Sequence, residues 1–187
     1  MAEHVPAPPA RTADVPACIA RARALGVPRD YARVRRLTRV REPRRLEFIG
    51  YDTQQRAQWL APRAARAWTN LRQAAANKGV ELQIVSAFRS VEYQLGILER
   101  KLARSQEISE ILKVSAAPGY SEHHSGRALD ITTPGFAVLA EEFEYSPAFA
   151  WLKKNAPRFG FHLSYPRRNP HGIAYEPWHW CWHAKQV

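Results

Sequence analysis

The chain has 187 residues, the length of one ordinary domain, and 45% of them are hydrophobic. A chain of this size and composition can bury a core, which excludes an intrinsically disordered protein. Cys18 and Cys181 are the only cysteines, so a disulfide framework and a cysteine-rich zinc finger are excluded as well. A bound metal would therefore be held by histidine and carboxylate side chains.

The net charge of +11 lies mostly in the N-terminal part of the chain. Residues 1–72 contain 15 Arg and 6 acidic residues, whereas residues 73–187 contain 13 basic and 11 acidic residues. A basic surface of this kind could bind nucleic acid, an anionic membrane or an anionic polymer, and charge alone does not choose among them.

No apolar run approaches the ~20 residues that a membrane-spanning helix needs. The first residues, MAEHVPAPPARTADVP, also lack the apolar segment of a secretory signal. The sequence as written therefore predicts a cytoplasmic protein without a transmembrane segment, and we expect it to be a monomer.

The N-terminal part is predicted to be mainly helical. Residues 1–13 are rich in Pro and Ala without periodicity, which indicates a flexible tail. Asp14 can cap a helix over VPACIARARALG, which Gly26 ends, and residues 44–51 (RRLEFIGY) are typical of a strand. We expect residues 14–72 to form a basic extension that packs on the core.

Three further elements follow in chain order. Residues 62–79 begin with Pro, end with Gly and carry an apolar face, which predicts an amphipathic helix. Residues 80–88 (VELQIVSAF) alternate as a strand does. Ser90 can cap one long helix over residues 90–113, where the apolar positions keep helical spacing.

Short strands gather in the last third of the chain. They are predicted over residues 127–131, 161–166 and 175–183, with a capped helix over residues 146–160. Helices come first, and regular βαβ alternation is missing, so the sequence predicts an α+β fold with a small antiparallel sheet flanked by helices. We expect residues 73–187 to form the core, in one compact domain with the extension.

The segment SEHHSGRALD contains side chains of the types that bind zinc, His123 and Asp130. Gly126 between them lets the chain turn sharply enough to bring both to one point. A catalytic zinc usually has three protein ligands, and His179 in the segment EPWHW can supply the third. Neighbouring side chains of an extended segment point apart, so at most one of His123 and His124 should reach the metal.

Two more residues could serve a hydrolytic reaction. Glu176 could act as the general base. In an extended strand Glu176 and His179 would point to opposite faces, whereas a kink favoured by Pro177 could turn Glu176 to the same side as His179. Arg89 stands at a predicted strand-to-helix junction, where it could hold a carbonyl oxygen that gains negative charge, or a substrate carboxylate. The other histidines are interpreted as ordinary exposed or hydrogen-bonded residues: His4, His162, His171 and His183.

Three motifs, in this order along the chain, resemble those of a known enzyme family. The pattern S-x-x-R-S-x-x-x-Q is matched over residues 86–94, S-x-H-x-x-G-x-A-x-D over residues 121–130, and E-P-W-H-W over residues 176–180. The chain thereby resembles the zinc D-alanyl-D-alanine carboxypeptidases and dipeptidases of the VanY and LAS type. This family trims bacterial peptidoglycan stem peptides, and the resemblance covers residues 80–182.

The resemblance implies one Zn²⁺ per chain, a peptidoglycan stem peptide as substrate, and a fold of the hedgehog and DD-peptidase type. It also implies roles for seven residues: the zinc ligands His123, Asp130 and His179, the catalytic base Glu176, the oxyanion-stabilising Arg89, and the substrate-binding Ser121 and Gln94. The expected reaction is removal of the terminal D-Ala, as in a D,D-carboxypeptidase. The family further implies a location in the periplasm or cell envelope.

Other functions remain open at the level of the sequence. The same zinc site could serve an L,D-carboxypeptidase or a peptidoglycan endopeptidase, and related folds occur as non-catalytic zinc modules. The Arg-rich N-terminal part is interpreted as binding an anionic envelope polymer, and no specific nucleic acid is expected. Cys181 stands where carboxypeptidases of the family commonly have Arg, and we interpret it as a buried strand residue.

Overall fold

The computed structural model of the protein describes residues 5–184, so His4 and the first residues of the predicted tail lie outside the described residues. The α-helices in this part are α1 (Val15–Ala24), α2 (Tyr31–Val34), α3 (Pro62–Ala76), α4 (Val91–Leu102), α5 (Ile108–Val114) and α6 (Pro147–Asn155). The strands are β1 (Glu47–Tyr51), β2 (Ala57–Leu60), β3 (Gln83–Ser86), β4 (Ala128–Thr132), β5 (Phe161–Leu163) and β6 (His179–Trp182). Three short 3₁₀ helices span Glu122–Ser125, Glu141–Tyr145 and Ala156–Phe159.

The predicted helix starts are confirmed by their caps. The Asp14 carboxylate accepts a hydrogen bond from the Ala17 N–H at the start of α1, at 2.8 Å. The Ser90 hydroxyl accepts one from the Tyr93 N–H at the start of α4, at 3.1 Å. Each cap pairs one of the N–H groups that a helix leaves unpaired at its first turn.

The single long helix predicted over residues 90–113 is wrong. Helix α4 ends at Leu102 and α5 begins at Ile108, with a turn between them. Ser105 in this turn has a φ of 58°, a left-handed conformation that interrupts an α-helix. The spacing of the apolar residues does not reveal this break, because the apolar residues of both helices face the same cluster.

The main sheet has four strands in the order β3-β4-β6-β5, and all neighbours are antiparallel. Side chains alternate between the two faces of a strand. Leu129 and Ile131 of β4 and Trp180 of β6 therefore point to one face, where they are buried in the core. Asp130 and His179, at the alternate positions, point to the opposite face.

The core lies between this sheet, α3 and α6. Helix α3 contributes Trp68 and Leu71 to the same buried cluster that holds Leu129 and Trp180. A second cluster joins α1, α4 and α5 around Leu98. The division into residues 14–72 and residues 73–187 stays a prediction, and α3 crosses that boundary.

A hairpin that was not fully predicted, β1 with β2, braces the loop after β3. Its turn is held by Asp52, which accepts hydrogen bonds from the Gln54 and Arg56 N–H groups and from the Arg56 and Gln58 side chains. Burial opposes the charge on Asp52, but these donors hold its pKa below the ordinary value. The side-chain oxygen Oε1 of Gln58 in turn accepts a hydrogen bond from the Ala87 N–H at 2.9 Å, which ties the hairpin to the loop.

None of the helices within residues 5–184 is long and apolar enough to cross a membrane. Part of the predicted tail contacts the body of the protein. The Thr12 hydroxyl donates a hydrogen bond to Glu42 at 2.7 Å and accepts one from the Glu92 N–H at 3.0 Å. Thr12 thereby meets the start of α4.

Gly126 ends the 3₁₀ helix Glu122–Ser125 in a left-handed conformation, with a φ of 62°. Its carbonyl accepts a hydrogen bond from the Ala61 N–H at 2.8 Å. A Cβ atom at residue 126 would lie 2.9 Å from the Ala61 nitrogen and 3.2 Å from Pro43. Both the turn and the close approach therefore require glycine.

Gly126→Ala should lower the free energy of unfolding more than Gly79→Ala does. Gly79 is the matched control, because its φ of 69° carries the same left-handed penalty of about 1–2 kcal/mol but no atom lies within 4 Å of an added Cβ. Urea denaturation of both variants measures the difference. Equal losses in the two variants would contradict the steric role assigned to the contact with Ala61.

Candidate metal centre and active site

Strand pairing brings three candidate ligands to one point. In the β4–β6 pair Asp130 lies directly opposite His179, and both side chains point away from the core. The 3₁₀ helix Glu122–Ser125 adds His123 from the chain just before β4. One ligand atom of each of these three buried residues lies within 4.8 Å of the others.

His123 is held with one ring nitrogen free toward the site. Its Nδ1–H donates to the Ala87 carbonyl at 2.6 Å, which fixes the tautomer. Its Nε2 is buried, lies 3.3 Å from Asp130 Oδ2, and has no partner in hydrogen-bond geometry among the described residues. Burial, together with the nearby Arg89, lowers the pKa of His123 to about 4. A neutral imidazole with a lone pair that no hydrogen bond occupies is the form that binds a metal.

His179 is oriented by two carboxylates. Its Nε2 donates to Glu122 Oε2 at 2.9 Å, and its Nδ1 lies 3.0 Å from Asp130 Oδ1. Burial disfavours the charged form of Glu122, but the hydrogen bond with His179 outweighs this effect and lowers the pKa of Glu122 to about 2. A carboxylate on the outer nitrogen of a histidine ligand is the usual device for aiming the other nitrogen at a metal.

The donor set fits zinc. Two imidazole nitrogens and one carboxylate oxygen are common ligands of catalytic zinc. Three protein ligands leave further coordination positions for water or substrate. His123 supplies a buried ring nitrogen without a hydrogen bond, and a buried polar atom of this kind is costly unless a ligand satisfies it. Sequence reasoning missed Glu122, because motif spacing does not report that its side chain reaches His179.

Glu176 reaches the same side of the sheet through a turn. The His179 N–H donates to the Glu176 carbonyl at 3.1 Å, so residues 176–179 form a turn before β6 and the kink expected at Pro177 is present. Glu176 Oε2 lies 3.7 Å from His179 Nδ1. Burial raises the pKa of Glu176 to about 7, with His179 opposing and Asp130 adding to the effect.

Arg89 lies between β3 and α4, as its sequence position predicts. One guanidinium nitrogen is 3.9 Å from Asp130 Oδ2, and its buried Nε has no hydrogen-bond partner among the described residues. Arg89 and Glu176 line one pocket of about 260 Å³ together with the three candidate ligands. An arginine with unpaired N–H groups at such a pocket can donate hydrogen bonds to an anionic oxygen.

His124 is buried and does not face the site. Its Nδ1–H donates to the Arg89 carbonyl at 2.7 Å, and its Nε2 accepts from the Gly119 N–H at 3.1 Å. Both ring nitrogens are therefore occupied. The two histidines lie on a 3₁₀ helix instead of an extended segment, but only His123 points to the other candidate ligands, as expected.

The two predicted substrate-binding residues occupy different places. Ser121 lines the pocket, two residues before His123 in the chain. Gln94 is buried behind the wall, where its amide donates to Ser115 Oγ and to the Ala116 carbonyl at 3.0 and 2.9 Å. The structure thus places Ser115 and Ala116 between Gln94 and the pocket, and direct contact of Gln94 with substrate stays a prediction.

The VanY family model, described as D-alanyl-D-alanine carboxypeptidase, matches residues 57–185. This range covers more than half of the chain and contains all seven candidate site residues. The chain belongs to the VanY family. The match also includes β2 and α3, upstream of the motifs.

Relatives and solved structures agree with this membership. YodJ of Bacillus subtilis (strain 168), which is named as a carboxypeptidase, is 33% identical over 139 residues, 72% of this chain and 50% of YodJ. The LdcB LD-carboxypeptidase has a TM-score of 0.69 and 31% identity, covering 78% of this chain and 71% of LdcB. A vancomycin-resistance D,D-pentapeptidase VanY, solved in complex with Zn(II), has a TM-score of 0.60 and 26% identity, covering 78% and 83%. The chain spans about half the length of the curated relatives it matches first.

His123→Ala and His124→Ala should differ sharply in this VanY-family chain. His123→Ala removes a candidate ligand, so zinc should be lost on dialysis. His124→Ala leaves the Arg89 carbonyl and the Gly119 N–H unpaired, so it should keep zinc and lose about 1–3 kcal/mol of stability. Elemental analysis after dialysis and thermal melting measure the two effects, and equal zinc loss would contradict the assignment.

Proposed function

We propose that this chain is a zinc-dependent D,D-carboxypeptidase that removes the terminal D-Ala from peptidoglycan stem peptides. The proposal is carried by one observation, the convergence of His123, Asp130 and His179 within 4.8 Å beside Glu176 and Arg89 in one pocket. Membership of the VanY family and the Zn(II) complex of a structural neighbour support it. We infer that His123, Asp130 and His179 are the ligands of one zinc ion.

A bound zinc would polarise the scissile carbonyl and make a water molecule more acidic. The chain supplies the remaining steps through two side chains. Glu176, which is buried at the pocket and 3.7 Å from His179, takes the proton of the attacking water and later gives it to the departing amine. Arg89 donates hydrogen bonds to the oxygen that becomes negative, or fixes the substrate carboxylate.

A non-catalytic zinc module would not need this arrangement. Three ligands suffice to hold a metal, whereas Glu176 is placed beside them in a turn and buried at a cost to its charged form. Arg89 likewise keeps a buried donor without a partner among the described residues. These two features favour an enzyme, because a base and an anion-binding group are of use only if a substrate enters the pocket.

Glu176→Gln should greatly slow the cleavage that the wild-type protein performs. The wild-type protein should shorten a pentapeptide ending in D-Ala-D-Ala by one alanine, read from product masses. The variant keeps the size of the side chain but cannot accept the proton, so kcat should fall by about 10²–10⁴ while the zinc content stays the same.

Glu142→Gln is the control for this experiment, because it removes an exposed carboxylate of the 3₁₀ helix Glu141–Tyr145. It should leave kcat unchanged. Retained activity in Glu176→Gln, with normal zinc content, would contradict the role of Glu176 as the base.

An L,D-carboxypeptidase is the second candidate, because the LdcB structure resembles this chain with a TM-score of 0.69, against 0.60 for the VanY structure. Both reactions would use the same zinc ligands and the same base. In the mass assay, release of alanine from a tetrapeptide but not from a pentapeptide would favour this candidate.

We also infer that the Arg-rich N-terminal part binds an anionic polymer of the cell envelope, and that the chain acts there. Five arginines are exposed within ten residues: Arg36, Arg39, Arg41, Arg44 and Arg45. Such a cluster attracts a polyanion over roughly the Debye length, which is about 8–10 Å near physiological ionic strength.

Replacement of Arg36, Arg39 and Arg41 by Gln should reduce retention on immobilised polyphosphate. The control carries three equal changes at exposed basic residues of the C-terminal part, at Lys153, Lys154 and Arg158. Elution by a salt gradient measures retention. Elution of both triple variants at the same salt concentration would contradict a specific role of the N-terminal cluster.

A further inference from the structure

A second group of potential metal ligands lies beside the candidate active site. Cys181 follows His179 by two residues on β6, so both side chains point to the same face of the sheet. In the pairing of β5 with β6, His162 lies directly opposite Cys181. The catalytic proposal uses neither Cys181 nor His162.

Three side chains of this group are close enough to share an ion. One ligand atom each of Glu122, Cys181 and His183 lies within 4.8 Å of the others. The His162 ring centre is 5.8 Å from that of His183. A thiolate, an imidazole and a carboxylate are all ligands that Zn²⁺ accepts.

The group is open on one side and closed on the other. Cys181 is 1% exposed, and Glu122 is only partly accessible, whereas His183 and His162 are exposed. An ion can therefore enter from solvent past the two histidines and meet the thiol at the closed end. Because the histidines are exposed, their rings can adjust to the geometry that a metal requires.

We propose that Glu122, Cys181 and His183 form a second zinc site, with His162 or water as the fourth ligand. Binding replaces the S–H bond of Cys181 by a sulfur–metal bond and releases the proton to solvent. A thiolate ligand makes this site softer than the first site, whose candidate ligands are two histidines and an aspartate.

Glu122 links the two sites. Its Oε2 accepts the hydrogen bond from His179 Nε2 at 2.9 Å, and the same carboxylate is a ligand of the second site. A cation on Glu122 draws its electron density away from His179 and weakens the orientation of that ring. This expectation rests on the proposed carboxypeptidase function: excess zinc should inhibit cleavage by the wild-type protein. Cys181→Ser should relieve this inhibition.

Titration of the full chain with Co²⁺ tests the second site without an activity assay. A thiolate bound to Co²⁺ gives a near-ultraviolet charge-transfer band, and the first site contains no thiol. The wild-type protein should bind two equivalents and develop the band with the second. Cys181→Ser should bind one equivalent without the band, whereas the matched control Cys18→Ser should keep both.

Two further variants keep the test decisive. His183→Ala changes an exposed residue, so it should fold normally and weaken binding of the second equivalent at least about tenfold. His123→Ala should lose the first equivalent and keep the band, so failure of the proposed active site is distinguished from failure of the second site. A band that survives in Cys181→Ser, one that disappears in His123→Ala, or a single equivalent in the wild-type protein would overturn the proposal.

Discussion

The antiparallel pairing of β4 with β6 is the constraint on which the candidate site depends. It sets Asp130 opposite His179, although 49 residues separate them in the chain. A slip of either strand by one residue would turn its polar residue, Asp130 or His179, toward the core and bring Leu129 or Trp180 to the pocket. The buried residues of the core face therefore hold the register that the polar face needs.

The loop after β3 is fixed from both sides. The Ala87 N–H donates to Gln58, which is itself held by Asp52 of the β1–β2 turn, and the Ala87 carbonyl accepts from His123. Two residues after Ala87, the Arg89 carbonyl accepts a hydrogen bond from His124 Nδ1. The paired histidines thus join the backbone that carries Arg89 to the segment that carries His123, so the hairpin and the motifs form one hydrogen-bonded unit.

The sequence predicted the features that depend on residue type and local pattern. The caps at Asp14 and Ser90 and the three candidate ligands belong to this group, because short motifs encode them. The break at Ser105 was not predictable, since apolar spacing continues through it. The contact of Glu122 with His179 also escaped, because it depends on how a 3₁₀ helix meets a strand far along the chain.

Asp130 and Glu176 are both buried carboxylates at the same pocket, but their surroundings divide their chemistry. Asp130 lies within 3.3 Å of both histidines, and these contacts outweigh burial and lower its pKa. Glu176 is no closer than 3.7 Å to His179, so burial dominates and favours its protonated form. A carboxylate held in its charged form suits a metal ligand, whereas one that gains and loses a proton easily suits a base. Position relative to the two histidines, more than residue type, separates the two roles.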